Sequence, residues 1–422
     1  MTTPQCAKRL TFVVDSLACG GVARAVVSLA HGLLQRGYRV SVISFTPADR
    51  DFFSLPEGVH RYVLEPVRGR SGPWLKLLST AHATMRRLKI AIDATHPDVV
   101  IAHAPRPNVM TLLAMLRSPY PVIVTEHGDV ATRPSSGKPW LWRKWVWYRL
   151  RRYCYARAEK VVSVSAAIDR NVAWLPKERR AIIHNPFSAV DSSSIPAPLP
   201  AGASPERPWL ISLGRLSHAK GYDILIEAFA TIARQFPQWQ LVVVGDGALR
   251  ESLERQAAPL GDQIVFAGAI PNPFTLLRQA QLFVMASRYE GFPMAHGEAL
   301  MCGLPVIATD CPSGTRQSFG SDRDSGGVRE LIRDGIDGIL VAPQDAAALA
   351  KAMATCMADA ALRERLARAA PLGVARFSHA SILDTWQGLF NEVCALKGGS
   401  ERKGLALRSR RTNPALSIQE ED

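Results

Sequence analysis

Two series of short apolar runs, each alternating with helix-spaced segments and divided by a stretch that cannot pack, constrain this chain more than any other feature. Residues 11–15 are apolar, Val22, Val26, Leu29, Ala30 and Leu33 recur at helical spacing, and 38–45 is apolar again. That is a βαβ unit. Further strand-like runs at 99–103, 122–125 and 161–164 stand far enough apart for crossover helices, which predicts a parallel sheet and a first domain over 1–190. From 188 to 208 the chain is rich in Ser, Pro and Gly, so 191–208 reads as a linker. A second series at 209–213, 241–244, 264–266, 282–285, 306–308 and 338–341 predicts a second domain over 209–375. A helix is expected over 376–396, and 397–422, basic and then acidic with little to bury, is expected to be disordered. The fold class is therefore α/β: two Rossmann-like, doubly wound domains facing a cleft, with ligands at the strand C-termini.

Composition removes several function classes. A 47% apolar and 21% charged content is that of a globular protein, and no run approaches the roughly 18 uncharged apolar residues of a membrane span. The start, MTTPQCAKRL, lacks the layout of a signal peptide, which predicts a cytoplasmic address. Seven cysteines without a C-x-x-C suggest neither a disulfide framework nor a zinc site. The formal charge of +14 calls for an acidic partner, either nucleic acid or anionic lipid.

Four segments carry candidate chemistry. In Glu290-Gly-Phe-Pro-Met-Ala-His-Gly-Glu298, Pro293 suits a first helical position, so the Gly291–Phe292 turn aims free amides into the cleft, where phosphate binds well. Glu290 stands before that helix and Glu298 about a turn and a half inside it, a spacing that lets two carboxylates grip hydroxyls on two sugars of one ligand. After the run WLISL come Gly214-Arg215 and Lys220-Gly221, two cations at a strand end that suit a diphosphate. With no compelling Asp-x-Asp site, they can replace a metal in stabilising a departing diphosphate. Gly20 and Gly21 permit close backbone approach but do not form the G-x-G-x-x-G of a dinucleotide site. His127, in Thr-Glu-His-Gly at the end of a strand, is placed to face the cleft. Each has an ordinary reading by itself: a helix-end charge, a solvated carboxylate, two surface cations, a structural histidine. Counted together, the four segments weaken those ordinary readings.

In this order and at these separations the four segments resemble family 4 of the retaining glycosyltransferases, which have the GT-B architecture. The likeness spans about residues 10–395 and is most specific at YEGFPMAHGEALMCGLPVIATDCPSG and GGVRELIRDGIDGILVAP. It implies that Arg215 and Lys220 bind the donor diphosphate, Glu298 the ribose, and Glu290 the transferred sugar, helped by amides near Phe292 and Met294. It places Gly21 against the phosphates and His127 at the sugar. It also implies retention of anomeric configuration, no metal and no cofactor, the nucleotide sugar being a substrate. The segment Asp310 to Arg316 is similar to a subgroup acting on polyprenyl-linked oligosaccharides, but 317–325 intervenes before the glycine-rich loop, so that loop is not carried over.

Between Lys138 and Lys160 eight cations, Arg143, Lys144, Arg149, Arg151 and Arg152 among them, stand against one acid. Aromatics including Trp142 and Trp145 are interleaved with them, as in a helix lying in a headgroup layer. A domain helix burying one aromatic face is the plainer alternative. No nucleic-acid module accompanies the segment, and nucleic acid is not expected as a partner. The expectation is thus a peripheral enzyme on the inner face of the cytoplasmic membrane. It is expected to add a hexose or N-acetylhexosamine from a UDP-sugar to a lipid-linked glycan of a surface polysaccharide such as lipopolysaccharide or capsule. The rivals are a sugar-nucleotide epimerase and a degenerate transferase kept as a membrane assembly partner.

Overall fold

The computed structural model describes residues 8–64, 73–128, 141–187, 197–312 and 327–411. The first domain runs β1 (Arg9–Val14), α1 (Gly21–Gln35), β2 (Arg39–Ser44), β3 (His60–Val63), α2 (Pro73–Thr95), β4 (Val99–His103), α3 (Pro105–Ala114), β5 (Val122–Glu126), α4 (Leu141–Tyr155), β6 (Lys160–Ser163), α5 (Ala166–Asp169) and β7 (Arg180–Ile182). The second runs β8 (Trp209–Leu213), α6 (Tyr222–Ile232), β9 (Gln240–Val244), α7 (Arg250–Ala257), β10 (Ile264–Gly268), α8 (Phe274–Gln279), β11 (Leu282–Met285), α9 (Met294–Met301), β12 (Val306–Thr309), α10 (Gly327–Leu331), β13 (Gly338–Val341), α11 (Ala346–Ala358) and α12 (Ala360–Val374). α13 (His379–Arg411) closes the chain.

Both sheets are parallel throughout, in the orders β3-β2-β1-β4-β5-β6-β7 and β10-β9-β8-β11-β12-β13. The inner strands VVIAH, VIVTE, QLVVV and LFVM are buried along their whole length, because helices cover both faces of a parallel sheet. Each order reverses direction once, between β1 and β4 and between β8 and β11. The crevice at such a reversal is where these sheets bind ligands. β3 and β7 carry no apolar run in the sequence because they are short, half-exposed edge strands.

α13 departs from expectation in its bounds. The helix expected over 376–396 instead begins at His379 and runs to Arg411, into a segment expected to be disordered. Glu401, Arg402, Lys403, Leu405, Ala406 and Leu407 are good helix formers, and extending an existing helix needs no new nucleus. Residues 412–422 lie outside the described residues. α13 also returns to the first domain: Ile382, Leu383, Trp386, Leu389, Phe390 and Val393 are buried in its core beside Leu29 and Leu33 of α1. At about 1.5–3 kcal/mol for each buried side chain, this docking outweighs the Arg36–Asp384 and Lys160–Glu392 ion pairs beside it. The chain therefore crosses between domains twice, and the crossings are joined by a bridge between Phe187 and Ser378.

α1 meets α13 closely because Gly32 has no side chain; a Cβ there would overlap the His379 ring and Leu383. Gly32→Ala is accordingly expected to lower the melting temperature, although alanine favours an isolated helix by about 1 kcal/mol. An unchanged or raised melting temperature would mean that this packing yields freely.

Candidate functional site

The two switch points face each other. On the first domain, the loop after β1 ends at Gly20 and Gly21, where α1 starts with no side-chain cap and no acid in its first turn. On the second, the loops after β8 and β11 carry Arg215 to Lys220 and Ser287 to Phe292. Gly221, at φ +64°, turns the chain from Lys220 into α6 in a left-handed conformation; a Cβ there would collide with the Ala286 carbonyl.

Cross-domain contacts bring most of the expected residues together. Arg215 Nη2 donates to the Cys19 carbonyl at 2.9 Å, and a Cβ on Gly20 would stand 2.9 Å from the same nitrogen. Gly21 faces Met294 of α9, whose Cγ would lie 3.5 Å from a Cβ. Gly291 packs against the His127 carbonyl so tightly that no side chain fits. Ser165 caps α5 and also donates to the Gly291 carbonyl at 3.0 Å. Phe292 joins Phe187, Phe377 and His184 in an aromatic cluster at the domain crossing. Pro293 is the residue before α9 rather than its first, so Met294 opens the helix; the N-terminal amides still face the crevice.

The charges are arranged as pairs. Lys220 Nζ lies 2.5 Å from Glu290 Oε1, which also accepts from Ser287 Oγ at 2.7 Å. Burial pushes the Glu290 carboxyl up, but Lys220 and further favourable contacts with His296 and Ser287 outweigh it, and the net direction is down. Glu298 is buried and 2.5 Å from Arg24 Nε of α1. Burial dominates there and raises its carboxyl against the pull of Arg24. The Arg24 guanidinium also sits over the rings of Phe53 and Phe274, one from each domain. Two carboxylates and three cations thus converge from both domains on one crevice, an arrangement chemically able to hold a diphosphate and hydroxyl groups.

Arg24 has no assigned role in the sequence reading, although it lies in the first turn of the helix opened by Gly21; its charge so near a glycine-rich turn was the available signal. His103 was missed too. It ends β4, beside the first switch point, and it contacts Thr125 and His127. His127 faces a small cavity with His103, Asn185 and Trp386, and burial brings its pKa down to about 4.

The basic helix corrects one expectation. Arg151 is not on the surface: it is buried beneath α4, paired with the buried carboxylate of Glu126 at 3.4 Å and stacked on Tyr155. Tyr155 and Asn108 also donate to Glu126. At 3.6 residues per turn, position 151 points inward while 145, 148, 149 and 152 share another face. Trp145, Tyr148 and Tyr153 are exposed there, with Arg149, Arg152 and Arg157 laid over their rings. The side chains of Trp142, Arg143 and Lys144 lie outside the described residues, as does the 317–325 insertion. Among the described residues no helix is long and apolar enough to cross a membrane.

Comparison with known proteins follows the two domains. Residues 19–191 match the family model described as Glycosyltransferase Family 4, and residues 200–372 match the one described as Glycosyl transferases group 1. A Campylobacter jejuni protein named GalNAc-alpha-(1->4)-GalNAc-alpha-(1->3)-diNAcBac-PP-undecaprenol alpha-1,4-N-acetyl-D-galactosaminyltransferase is 26% identical over 386 residues, covering 91% of this chain and 99% of its own. The phosphatidyl-myo-inositol mannosyltransferase of Mycobacterium leprae is 27% identical over 375 residues, covering 85% and 89%. Among solved structures, the Anabaena protein HepE in complex with UDP-glucose superposes with a TM-score of 0.69 at 20% identity, covering 93% of this chain and 100% of that one. At that identity the likeness speaks for the fold, two facing Rossmann-like domains of the GT-B type.

Proposed function

The chain belongs to glycosyltransferase family 4, and on that basis we propose that it moves a hexose or N-acetylhexosamine from a UDP-sugar to a lipid-linked glycan, with retention of anomeric configuration and without a metal. The observation that carries this reading is the convergence of Arg215, Lys220, Glu290 and Glu298 on the crevice between two switch points. In this reading Arg215 and Lys220 take the diphosphate, with the α1 amides at Gly20 and Gly21 and the α9 amides at Met294 completing the cradle. Glu298 receives the ribose hydroxyls, and Glu290 with the backbone at Gly291 and Phe292 receives the transferred sugar. His127 meets that sugar from the first domain.

The acceptor hydroxyl attacks the anomeric carbon on the face the phosphate leaves. The new C–O bond forms as the sugar–phosphate bond breaks, and the hydroxyl proton passes to the departing phosphate oxygen. Arg215 and Lys220 stabilise the charge that grows on the leaving diphosphate, in place of a metal. The names of the relatives, which act on an undecaprenyl diphosphate glycan and on phosphatidylinositol, support a lipid-borne acceptor. The UDP-glucose complex of HepE supports the nucleotide.

The experiment is a turnover assay with a panel of UDP- and GDP-sugars, with and without polyprenyl-linked acceptors, in the presence of EDTA. UDP release that needs the lipid acceptor and survives EDTA is the expected result, and NMR of the product is expected to show the donor's anomeric configuration. An inverted product would rule out same-face attack. Donor isomerised without acceptor would identify an epimerase instead, and no donor consumed would favour an assembly partner.

The exposed aromatic and cationic face of α4 fits a membrane surface on which that acceptor is presented. Co-sedimentation with vesicles containing anionic lipid is expected to fall at least severalfold when Trp145, Arg149 and Arg152 are replaced together by Ala, at roughly 1 kcal/mol per cation near such a surface. Equal binding to neutral vesicles, or no loss in the variant, would remove α4 from this role.

A further inference from the structure

At the floor of the first-domain crevice, three groups converge on one hydroxyl. Thr125 Oγ1 lies 3.1 Å from the Ala102 carbonyl, 2.9 Å from His103 Nδ1 and 2.9 Å from His127 Nε2. A hydroxyl has one proton and two lone pairs. The carbonyl can only accept, so it takes the proton, and each imidazole nitrogen must then donate into a lone pair. On that assignment His103 is protonated at Nδ1 and His127 at Nε2, and the 3.4 Å approach of these two nitrogens is that of two donors sharing the Thr125 oxygen, not of a hydrogen bond between the rings.

The remaining ring nitrogens agree with it. His103 Nε2 and His127 Nδ1 are both buried without a partner. If either carried the proton, a buried N–H would be left unsatisfied, which folded proteins avoid more strictly than an unfilled lone pair. Donation to Thr125 leaves lone pairs at both places. Burial holds both rings below the usual imidazole range, His127 at about 4, with His127 depressing His103 further. Neither ring gains a second proton near neutrality.

We infer that Thr125 and His103 are positioning residues that fix His127 in its Nε2–H form, so that it offers a bare Nδ1 lone pair and selects a ligand group that donates a hydrogen bond. The cavity that the His127 ring lines with Ala25, Asn185 and Trp386 is about 10 Å³, room for one water-sized group, so a single hydroxyl or N–H is all that can reach the nitrogen there. A sugar hydroxyl or amide N–H satisfies the nitrogen. A carboxylate or phosphate oxygen would meet it lone pair to lone pair. This deepens the placing of His127 at the transferred sugar and rests on that reading for the identity of the ligand, but the protonation state itself does not depend on it.

Long-range 1H–15N correlation spectra of protein labelled at histidine nitrogens, with His127→Gln used for assignment, test the inference directly. The result expected is a neutral His127 protonated at Nε2 in wild type and in Thr125→Ser, and a loss of that single form in Thr125→Val. A His127 protonated at Nδ1 in wild type would overturn the inference. Kinetics then test the consequence with the accepted UDP-hexose and its monodeoxy analogues. Thr125→Val is expected to lower kcat/KM about tenfold for the parent donor, about 1.4 kcal/mol for one hydrogen bond, and to leave unchanged the analogue lacking the contacted hydroxyl. Equal losses on every donor would make Thr125 merely structural. If no nucleotide sugar is consumed by wild type, the functional reading fails while the spectra still decide the protonation state.

Discussion

Lys220→Ala is expected to reduce kcat by about 10²–10³-fold, with a much smaller change in KM. Charge on a departing diphosphate grows as the sugar–phosphate bond breaks, so a cation at that oxygen acts more strongly on the transition state than on the bound donor. Lys220 has a fixed place because Gly221 turns the chain immediately behind it and Glu290 holds its ammonium at 2.5 Å. The pair also leaves a signature in stability that separates chemistry from folding. The Glu290 carboxyl lies below its ordinary value of 4.5, because Lys220 and its other partners outweigh burial. Its contribution is therefore complete above that value and is lost as the pH falls through the lower, folded-state value. In Lys220→Ala the carboxyl loses its main compensating charge, and this acid-side loss is expected to vanish from melting curves compared at pH 7 and pH 3. A variant that keeps wild-type kcat would place the diphosphate elsewhere.

Arg151→Ala is expected to cost about 3–5 kcal/mol of stability in denaturant unfolding, whereas Arg149→Ala on the same helix stays within about 0.5 kcal/mol. The two residues are two positions apart and alike in sequence, but Arg149 lies on the exposed face and Arg151 beneath α4. Removing the Arg151 guanidinium strands the Glu126 carboxylate in a buried site whose burial already raises its pKa. Tyr155 and Asn108 remain as donors and cannot replace the charge. The double variant Glu126→Gln with Arg151→Met is expected to recover much of the loss, since an uncharged, filled site has no stranded ion. Equal, small effects for both single variants would return Arg151 to the surface.

Much of this fold was legible because its signals are local. Inner strands such as VVIAH and LFVM are buried on both faces and so read as continuous apolar runs, and each glycine-bearing turn sits at a strand end. Edge strands β3 and β7 show no such run, since half of each faces solvent. The return of α13 to the first domain was not legible, because docking on α1 depends on Gly32 and Trp386, residues far apart in sequence whose meeting no local pattern encodes. The same distinction holds in the site. Arg215, Lys220, Glu290 and Glu298 stand in segments whose spacing carries meaning. Arg24, His103 and the buried Arg151 acquire theirs only from partners brought by the fold: Glu298 across the crevice, Thr125 on the next strand, and Glu126 beneath the helix.

The most direct test of the central claim is a calorimetric titration of UDP and UDP-hexoses into wild-type protein and Glu298→Ala. Saturable binding of one nucleotide class to wild type, weakened at least tenfold in Glu298→Ala at a temperature where both proteins are fully folded, is the predicted result. No binding to wild type, or equal binding to both proteins, would contradict the assignment of this crevice to a nucleotide sugar.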